Sequence, residues 1–150
     1  MESIFFEKKG TKLILRYTPD NGVDWLFEKI VEENNKQDCV KVLAFTNKVP
    51  ELMSISDLVI SKPGGLTTSE SLASNLPMII INPIPGQEEE NAEFLESKGT
   101  GIWIRKDDSS REILKSVIDN PEKLSTMKKN TEILAKKHST EKICKILLED

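Results

Sequence analysis

Apolar residues in this chain fall into short runs that alternate with amphipathic stretches. Runs of four to six residues that are rich in β-branched side chains are typical of buried strands. Five such runs predict strands at Lys12–Tyr17, Val40–Phe45, Asp57–Ser61, Met78–Ile81 and Gly101–Arg105. Because helical patterns separate these runs, the sequence predicts repeated β–α units, and therefore an α/β, Rossmann-like, mostly parallel sheet with flanking helices.

Helical periodicity predicts three helices among these strands, at Asp24–Asn34, Leu66–Asn75 and Glu88–Lys98. After Arg105 the pattern is wholly helical. Pro121 predicts the start of the second helix in that region, since proline suits a first helical turn.

The first ten residues allow two interpretations. Ile4–Lys9 fits the last turn of a helix closed by Gly10, and it also fits the first arm of a β-hairpin that turns at Lys8–Thr11. We favour the helix. Residues 1–10 are then the remnant of a preceding element, and residues 11–150 form one domain.

Composition narrows the class of protein. The 150 residues are 37% apolar and 31% charged, which suits one soluble globular domain. The net charge is −4 and acidic residues are interspersed with lysines, so nucleic acid is a poor partner. No apolar run approaches membrane-spanning length, and we expect a cytosolic protein. Cys39, Cys144 and the single histidine, His138, lack the spacing of a zinc site or a disulfide framework.

A glycine pair follows the predicted strand Asp57–Ser61. Gly64 and Gly65 let a ligand approach the backbone closely, and the free N–H groups of the following helix favour an anion such as a diphosphate. Glu70 lies one turn further on, where its carboxylate could accept hydrogen bonds from ribose hydroxyls. The alternative is that the glycines only form a tight connection and that Glu70 is a solvated helix residue.

A second unusual segment, NPIPGQEEEN, follows the strand predicted to end at Ile81. Ligands of open parallel sheets bind outside the carboxyl ends of the strands, so both loops should face one crevice. Gln87 and Asn91 could read sugar hydroxyls, and Glu88 keeps a functional interpretation. For Glu89–Glu90 we prefer a role at the helix start, where carboxylates complement the dipole.

A third candidate lies at the end of the strand Val40–Phe45. Exposed backbone amides of Phe45, Thr46 and Asn47 could hydrogen-bond a pyrimidine edge. The alternative is that Phe45 belongs to the core.

Residues Val42–Leu95 resemble the donor-binding domain of the diacylglycerol glycosyltransferases, the family of monogalactosyldiacylglycerol synthases and processive diacylglycerol glucosyltransferases, which is related to the peptidoglycan N-acetylglucosaminyltransferase. The segments KPGGLTTSE and NPIPGQEEENA carry the resemblance. It implies the C-terminal half of a GT-B fold. It also implies that the glycine loop holds the diphosphate, that Glu70 holds the ribose, that the PGQE loop contacts the sugar, and that the Phe45–Thr46 region, at the end of the second predicted strand, lines the uracil. The implied donor-binding residues are Phe45, Thr46, Gly64, Gly65, Leu66, Thr67, Glu70, Gly86, Gln87, Glu88 and Asn91.

The function implied by the resemblance is transfer of a hexose from a UDP-hexose to diacylglycerol, by an inverting mechanism that needs no metal or other cofactor. In that family the acceptor and the catalytic base belong to an N-terminal domain. Nothing before Thr11 matches that domain, and Arg16–Asn21 lacks the family's usual glycine. We therefore expect this chain to be inactive alone, to contain no catalytic residue and to reach diacylglycerol only through the missing domain. The complete enzyme could lie at the membrane periphery.

The resemblance also implies that the first, central strand is lacking. Lys12–Tyr17 would then pair directly with Asp57–Ser61, which we favour over insertion of Ile4–Phe6 or over self-association through an exposed sheet edge. A rival function is a non-catalytic remnant or binding module with the same fold. A nicotinamide-dependent enzyme is disfavoured, since no strand is followed by GxGxxG.

Overall fold

The computed structural model describes residues 3–7, 12–16, 24–43, 46–135 and 139–148. In these residues six strands form one sheet in the order β3-β2-β1-β4-β5-β6. The strands are β1 (Ser3–Glu7), β2 (Lys12–Arg16), β3 (Val40–Leu43), β4 (Leu58–Ser61), β5 (Met78–Ile80) and β6 (Gly101–Trp103). The helices are α1 (Asp24–Glu33), α2 (Val49–Ile55), α3 (Gly65–Ala73), α4 (Gln87–Ser97), α5 (Ser110–Ile118), α6 (Pro121–Leu134) and α7 (Ser139–Leu148).

The predicted α/β class is confirmed. β2 pairs with β3, β4 with β5 and β5 with β6, all in parallel, and helices follow the strands as expected. Each predicted strand is present in the described residues. β4, β5 and β6 are one or two residues shorter than predicted, and Tyr17, Ala44 and Phe45 lie outside the described residues. Pro121 begins α6, and the side chain of Asn120 caps it by accepting a 3.0 Å hydrogen bond from the Lys123 N–H. The short helix α2 was not predicted.

The prediction for the start of the chain was wrong. Ser3–Glu7 is a strand, not the end of a helix, and it is the first arm of a hairpin with β2. β1 lies between β2 and β4, so the predicted direct pairing of Lys12–Tyr17 with Asp57–Ser61 was also wrong. The slot of the missing first strand is therefore filled by this chain. Filling it satisfies backbone groups of both neighbours, which would cost free energy if buried without partners.

The orientation of β1 differs from that of every other strand. It runs antiparallel to both neighbours, and Ser3 is paired with Arg16 on one side and with Ser61 on the other. The amino end of β1 thus lies beside the carboxyl ends of β2 and β4.

The core lies on both faces of β4 and β5. On one face Leu58, Ile60 and Ile79 pack with Val117 of α5 and with α6. The alternate strand residues face the opposite side, where they pack with α2 and α4; this second cluster consists of Met53, Val59, Leu76, Met78, Ile80, Ala92 and Leu95. Burying an aliphatic side chain of this size stabilises the fold by about 1.5–3 kcal/mol. β4 and β5 are therefore firmly held, and so are the points where their following loops begin.

Helix α6 is fastened to the amino edge of the sheet, opposite those loops. Lys128 forms an ion pair with Asp57, just before β4. Asn130 Nδ2 donates a 3.1 Å hydrogen bond to the carbonyl of Gly99, just before β6.

Among the residues that the structure describes, no helix is both long enough and apolar enough to cross a membrane.

Candidate functional site

The glycine pair after β4 is not required by the local backbone. Gly64, the residue preceding α3, has φ −62° and ψ 150°, which any residue adopts. Gly65 has no positive φ, and a β-carbon placed on it would approach only the Nε2 atom of Gln87, at an ordinary contact distance of 4.0 Å. The backbone would therefore accept other residues at both positions, and at Gly65 a β-carbon would fit, so the glycine leaves open space at the start of α3. The glycine pair is therefore better explained by the approach of a ligand than by a tight connection between β4 and α3.

The amino ends of α3 and α4 differ in charge. The first turn of α3 contains no acidic residue and no side chain caps it. The first turn of α4 contains three glutamates, of which Glu88 Oε2 accepts a 2.8 Å hydrogen bond from the Ile84 N–H and Glu89 Oε2 accepts one of 3.4 Å from the Gly86 N–H. Carboxylates thus complement the dipole of α4, while the positive end of α3 is open to an anion.

The two loops touch each other. Gln87 lies beside Gly65, and Asn91 Nδ2 donates a 2.9 Å hydrogen bond to the carbonyl of Pro63, which is fully buried. Gly86 has φ 96°, a conformation that favours glycine, so here the residue type is set by the turn into α4. The structure therefore brings the glycine loop together with Gly86, Gln87 and Asn91, as the sequence predicted for successive strand ends.

Glu70 lies on the exposed face of α3. Within the described part of the chain its carboxylate has no hydrogen-bond or ion-pair partner, and it lines a largely apolar cavity of about 670 Å³ with Phe94, Lys98 and Leu134. Leu66, one turn earlier, is 80% exposed, whereas Thr67 is buried. Glu70 is thus available to a ligand, but no described hydrogen bond joins it to the Gln87 loop.

The third predicted segment is only partly described. Thr46 is half-buried, and its hydroxyl accepts a 3.1 Å hydrogen bond from the Lys48 N–H just before α2. Phe45 lies outside the described residues. The uracil-binding role of both stays a prediction.

Sequence reasoning missed a cluster beside β6. The Arg105 guanidinium donates to both carboxylate oxygens of Glu96, at 2.7 and 3.3 Å, and lies 4.6 Å from the centre of the Trp103 ring. The hydrogen bond from Arg105 holds the pKa of Glu96 below its ordinary value. These residues line or flank a cavity of about 560 Å³ that also includes Asn82. The cluster ties the loop after β6 to α4. No motif signals it, because its members are common residue types whose contact depends on how α4 packs against β6.

A mostly parallel sheet with flanking helices, and with an uncapped helix start beside a glycine loop at its carboxyl edge, places the molecule in the Rossmann-like class of folds. The comparison with known families makes this specific. The chain belongs to the family described as glycosyltransferase family 28 C-terminal domain, whose sequence model matches residues 5–145.

Curated relatives agree with this family. Residues of this chain are 45% identical over 112 positions to the processive diacylglycerol beta-glucosyltransferase of Staphylococcus epidermidis, covering 73% of this chain and 28% of that protein. They are 37% identical over 117 positions to the enzyme of the same name from Bacillus pumilus, covering 78% and 30%. The chain thus spans less than a third of the length of these relatives.

Solved structures show the same fold. The crystal structure of MurG from Acinetobacter baumannii superposes with a TM-score of 0.70 at 18% identity, covering 93% of this chain and 42% of that one. Anabaena HepE, crystallised in complex with UDP, superposes with a TM-score of 0.61 at 20% identity, covering 91% and 40%. The domain therefore has the Rossmann-like architecture of GT-B glycosyltransferases.

Proposed function

We propose that this domain binds a UDP-hexose and that the complete enzyme transfers the hexose to diacylglycerol. The observation that carries the proposal is the open start of α3, where two glycines that the backbone does not require stand before a helix turn without acidic residues. Such a site suits a diphosphate. The names of the relatives support the donor class and the lipid acceptor.

Each part of the donor has a proposed location. The diphosphate lies against the backbone N–H groups of Gly64–Thr67, and the exposed carboxylate of Glu70 accepts hydrogen bonds from the ribose. Gln87–Glu88 faces the hexose, and the uracil lies by Phe45–Thr46. As the bond to the hexose breaks, the backbone N–H groups and the α3 dipole stabilise the negative charge of the departing UDP.

The acceptor side of the reaction belongs to the rest of the enzyme in this proposal. The 150-residue chain alone then binds donor but transfers no hexose, and the complete enzyme works at a membrane surface, where diacylglycerol resides. Self-association through a sheet edge stays a prediction; the edge strands of the described sheet are β3 and β6.

The direct test is an NMR titration of the 15N-labelled chain with UDP and, separately, with ADP. We expect UDP to shift the amide resonances of Gly64–Thr67 and Gln87–Glu88, and ADP to do so more weakly because the uracil contacts are lost. Absence of UDP binding at millimolar concentration would contradict the donor assignment. Hexose transfer to diacylglycerol by this chain alone, above a protein-free control, would contradict the proposal that the acceptor side belongs to the rest of the enzyme. UDP binding without transfer, even after addition of the N-terminal part of a relative, would favour a non-catalytic binding module.

A further inference from the structure

One side chain bridges the two loops of the donor site. Asn91 lies in the second turn of α4, and its Nδ2 atom donates a 2.9 Å hydrogen bond to the carbonyl of Pro63, 28 positions earlier. Gln87 lies four positions before Asn91 and therefore on the same face of α4. The Asn91 side chain donates to Pro63, and the Gln87 side chain lies beside Gly65, two positions further along the glycine loop.

The Pro63 carbonyl belongs to the same planar peptide group as the Gly64 N–H. The structure contains no cis peptide bond in its described residues, so this oxygen and this hydrogen point in opposite directions. The proline ring already fixes φ of Pro63. Pro63 can still rotate about its ψ angle. This rotation turns the whole peptide plane, and the Gly64 N–H turns with it.

The residue after this peptide cannot restrain it sterically. Gly64 has no β-carbon, so few steric contacts limit rotation about its φ and ψ angles. The hydrogen bond from Asn91 supplies the missing restraint from another helix. It holds the carbonyl towards α4 and thereby directs the Gly64 N–H away from α4.

We propose that Asn91 is a positioning residue, which orients the Pro63–Gly64 peptide for the diphosphate instead of reading the sugar; this rests on the proposed donor function. One hydrogen of the Asn91 amide nitrogen is engaged with Pro63, and this bond fixes the side chain against the glycine loop. Loss of Asn91 therefore weakens recognition of the phosphates and leaves recognition of the nucleoside intact.

The test compares Asn91→Leu with Asn130→Leu. Both substitutions keep the number and branching of the side-chain heavy atoms and remove one partly buried amide that donates to a distant backbone carbonyl. Asn130, however, bonds Gly99 at the opposite edge of the sheet. NMR titrations with uridine, UMP, UDP and UDP-glucose give the affinities. We expect Asn91→Leu to raise the Kd for UDP and UDP-glucose alike by roughly threefold to tenfold, the equivalent of one net hydrogen bond. Its Kd for uridine should stay unchanged, and Asn130→Leu should change none of the four.

Other patterns overturn the proposal. A loss confined to UDP-glucose would show that Asn91 reads the sugar, and equal losses for uridine and UDP would show a general structural defect. Backbone 15N relaxation in the free protein gives a second readout: Asn91→Leu should lower the order parameter of the Gly64 amide, and Asn130→Leu should not. If the wild-type chain binds no UDP, the donor assignment fails, yet an unchanged order parameter at Gly64 would still refute the positioning role and a lowered one would support it.

Discussion

The Nε2 atom of Gln87 lies 4.0 Å from the point that a β-carbon on Gly65 would occupy. This is an ordinary van der Waals distance, so the loops after β4 and β5 meet without leaving a gap and without requiring glycine at position 65. The sheet explains the meeting, since β4 and β5 are parallel neighbours and end at the same edge.

Replacing Gly65 by alanine should separate folding from binding. The added methyl group fits beside Gln87, and alanine is the better helix former, so the free energy of unfolding should stay level or rise by up to about 1 kcal/mol. The same methyl group intrudes on the space given to the diphosphate, and UDP affinity should fall roughly tenfold, as for a lost hydrogen bond to a charged group. Urea unfolding and calorimetric titration check the two effects. A destabilised variant with normal UDP affinity would restore the tight-connection interpretation.

Glu70→Ala should weaken UDP binding by about 1.5–3 kcal/mol if its carboxylate holds the ribose, the range for hydrogen bonds to charged groups. Stability should hardly change, because Glu70 is exposed and its carboxylate has no described partner. Glu90→Ala is the matched control, an exposed glutamate in the first turn of α4, and should cost much less affinity. Equal UDP affinities in calorimetry for wild type and Glu70→Ala would remove Glu70 from the site.

Proline at position 5 should unfold the centre of the sheet. Phe5 is paired with Ile14 and with Val59, and proline cannot donate to a strand ladder. We expect Phe5→Pro to be less stable than Phe5→Ala by on the order of 2–3 kcal/mol, measured by urea denaturation. The alanine variant accounts for loss of the aromatic side chain. Matching stabilities would show that β1 contributes little to the sheet.

The buried position of Ile79 should make it sensitive to truncation. Its side chain is fully buried between β4, α5 and α6, so Ile79→Ala should cost about 2–5 kcal/mol of unfolding free energy through a cavity and lost burial. Ile133 has the same side chain but is 82% exposed, and Ile133→Ala should change stability by less than about 0.5 kcal/mol. Thermal and chemical denaturation of the two variants would test the assignment of the core.

The Glu96–Arg105 pair should make stability depend on acid. Because Arg105 lowers the pKa of Glu96 in the folded chain, the stabilisation is fully present above the ordinary pKa of a glutamate and is lost as the pH falls through the lowered value. The stability difference between wild type and Glu96→Gln should therefore be constant near neutral pH and shrink below about pH 4.5. Urea unfolding from pH 7 to pH 3 gives this difference. A difference that grows towards low pH would contradict the pairing.

Local signals predicted those parts of the structure that local physics determines. The β-branched runs gave β2 to β6, and the proline at position 121 gave the start of α6. Ile4–Lys9 was misassigned because a run so short fits both periodicities, and the choice depends on an open slot between β2 and β4 that lies far away in the chain. The glycine pair and the segment NPIPGQEEEN, at successive strand ends, predicted that the loops after β4 and β5 meet.

The remaining site contacts depend on tertiary structure. The hydrogen bond from Asn91 to Pro63 joins residues 28 positions apart, and no pattern of residue types distinguishes a bridging asparagine from a sugar-reading one. The ion pair of Arg105 with Glu96 is similar, since its geometry depends on how α4 lies against β6. The ribose, uracil and hexose roles stay predictions.

The reversed direction of β1 affects how the protein should be handled in the laboratory. Ser3 lies between Arg16 and Ser61, at the carboxyl ends of β2 and β4, so the amino end of β1 lies at the same side of the sheet as the proposed donor site. We therefore expect an affinity tag or a fluorescent protein attached at the amino terminus to lower the affinity for UDP. Immobilisation for surface plasmon resonance should use the carboxyl-terminal end, and a comparison of the two tag positions would show how close the crevice lies.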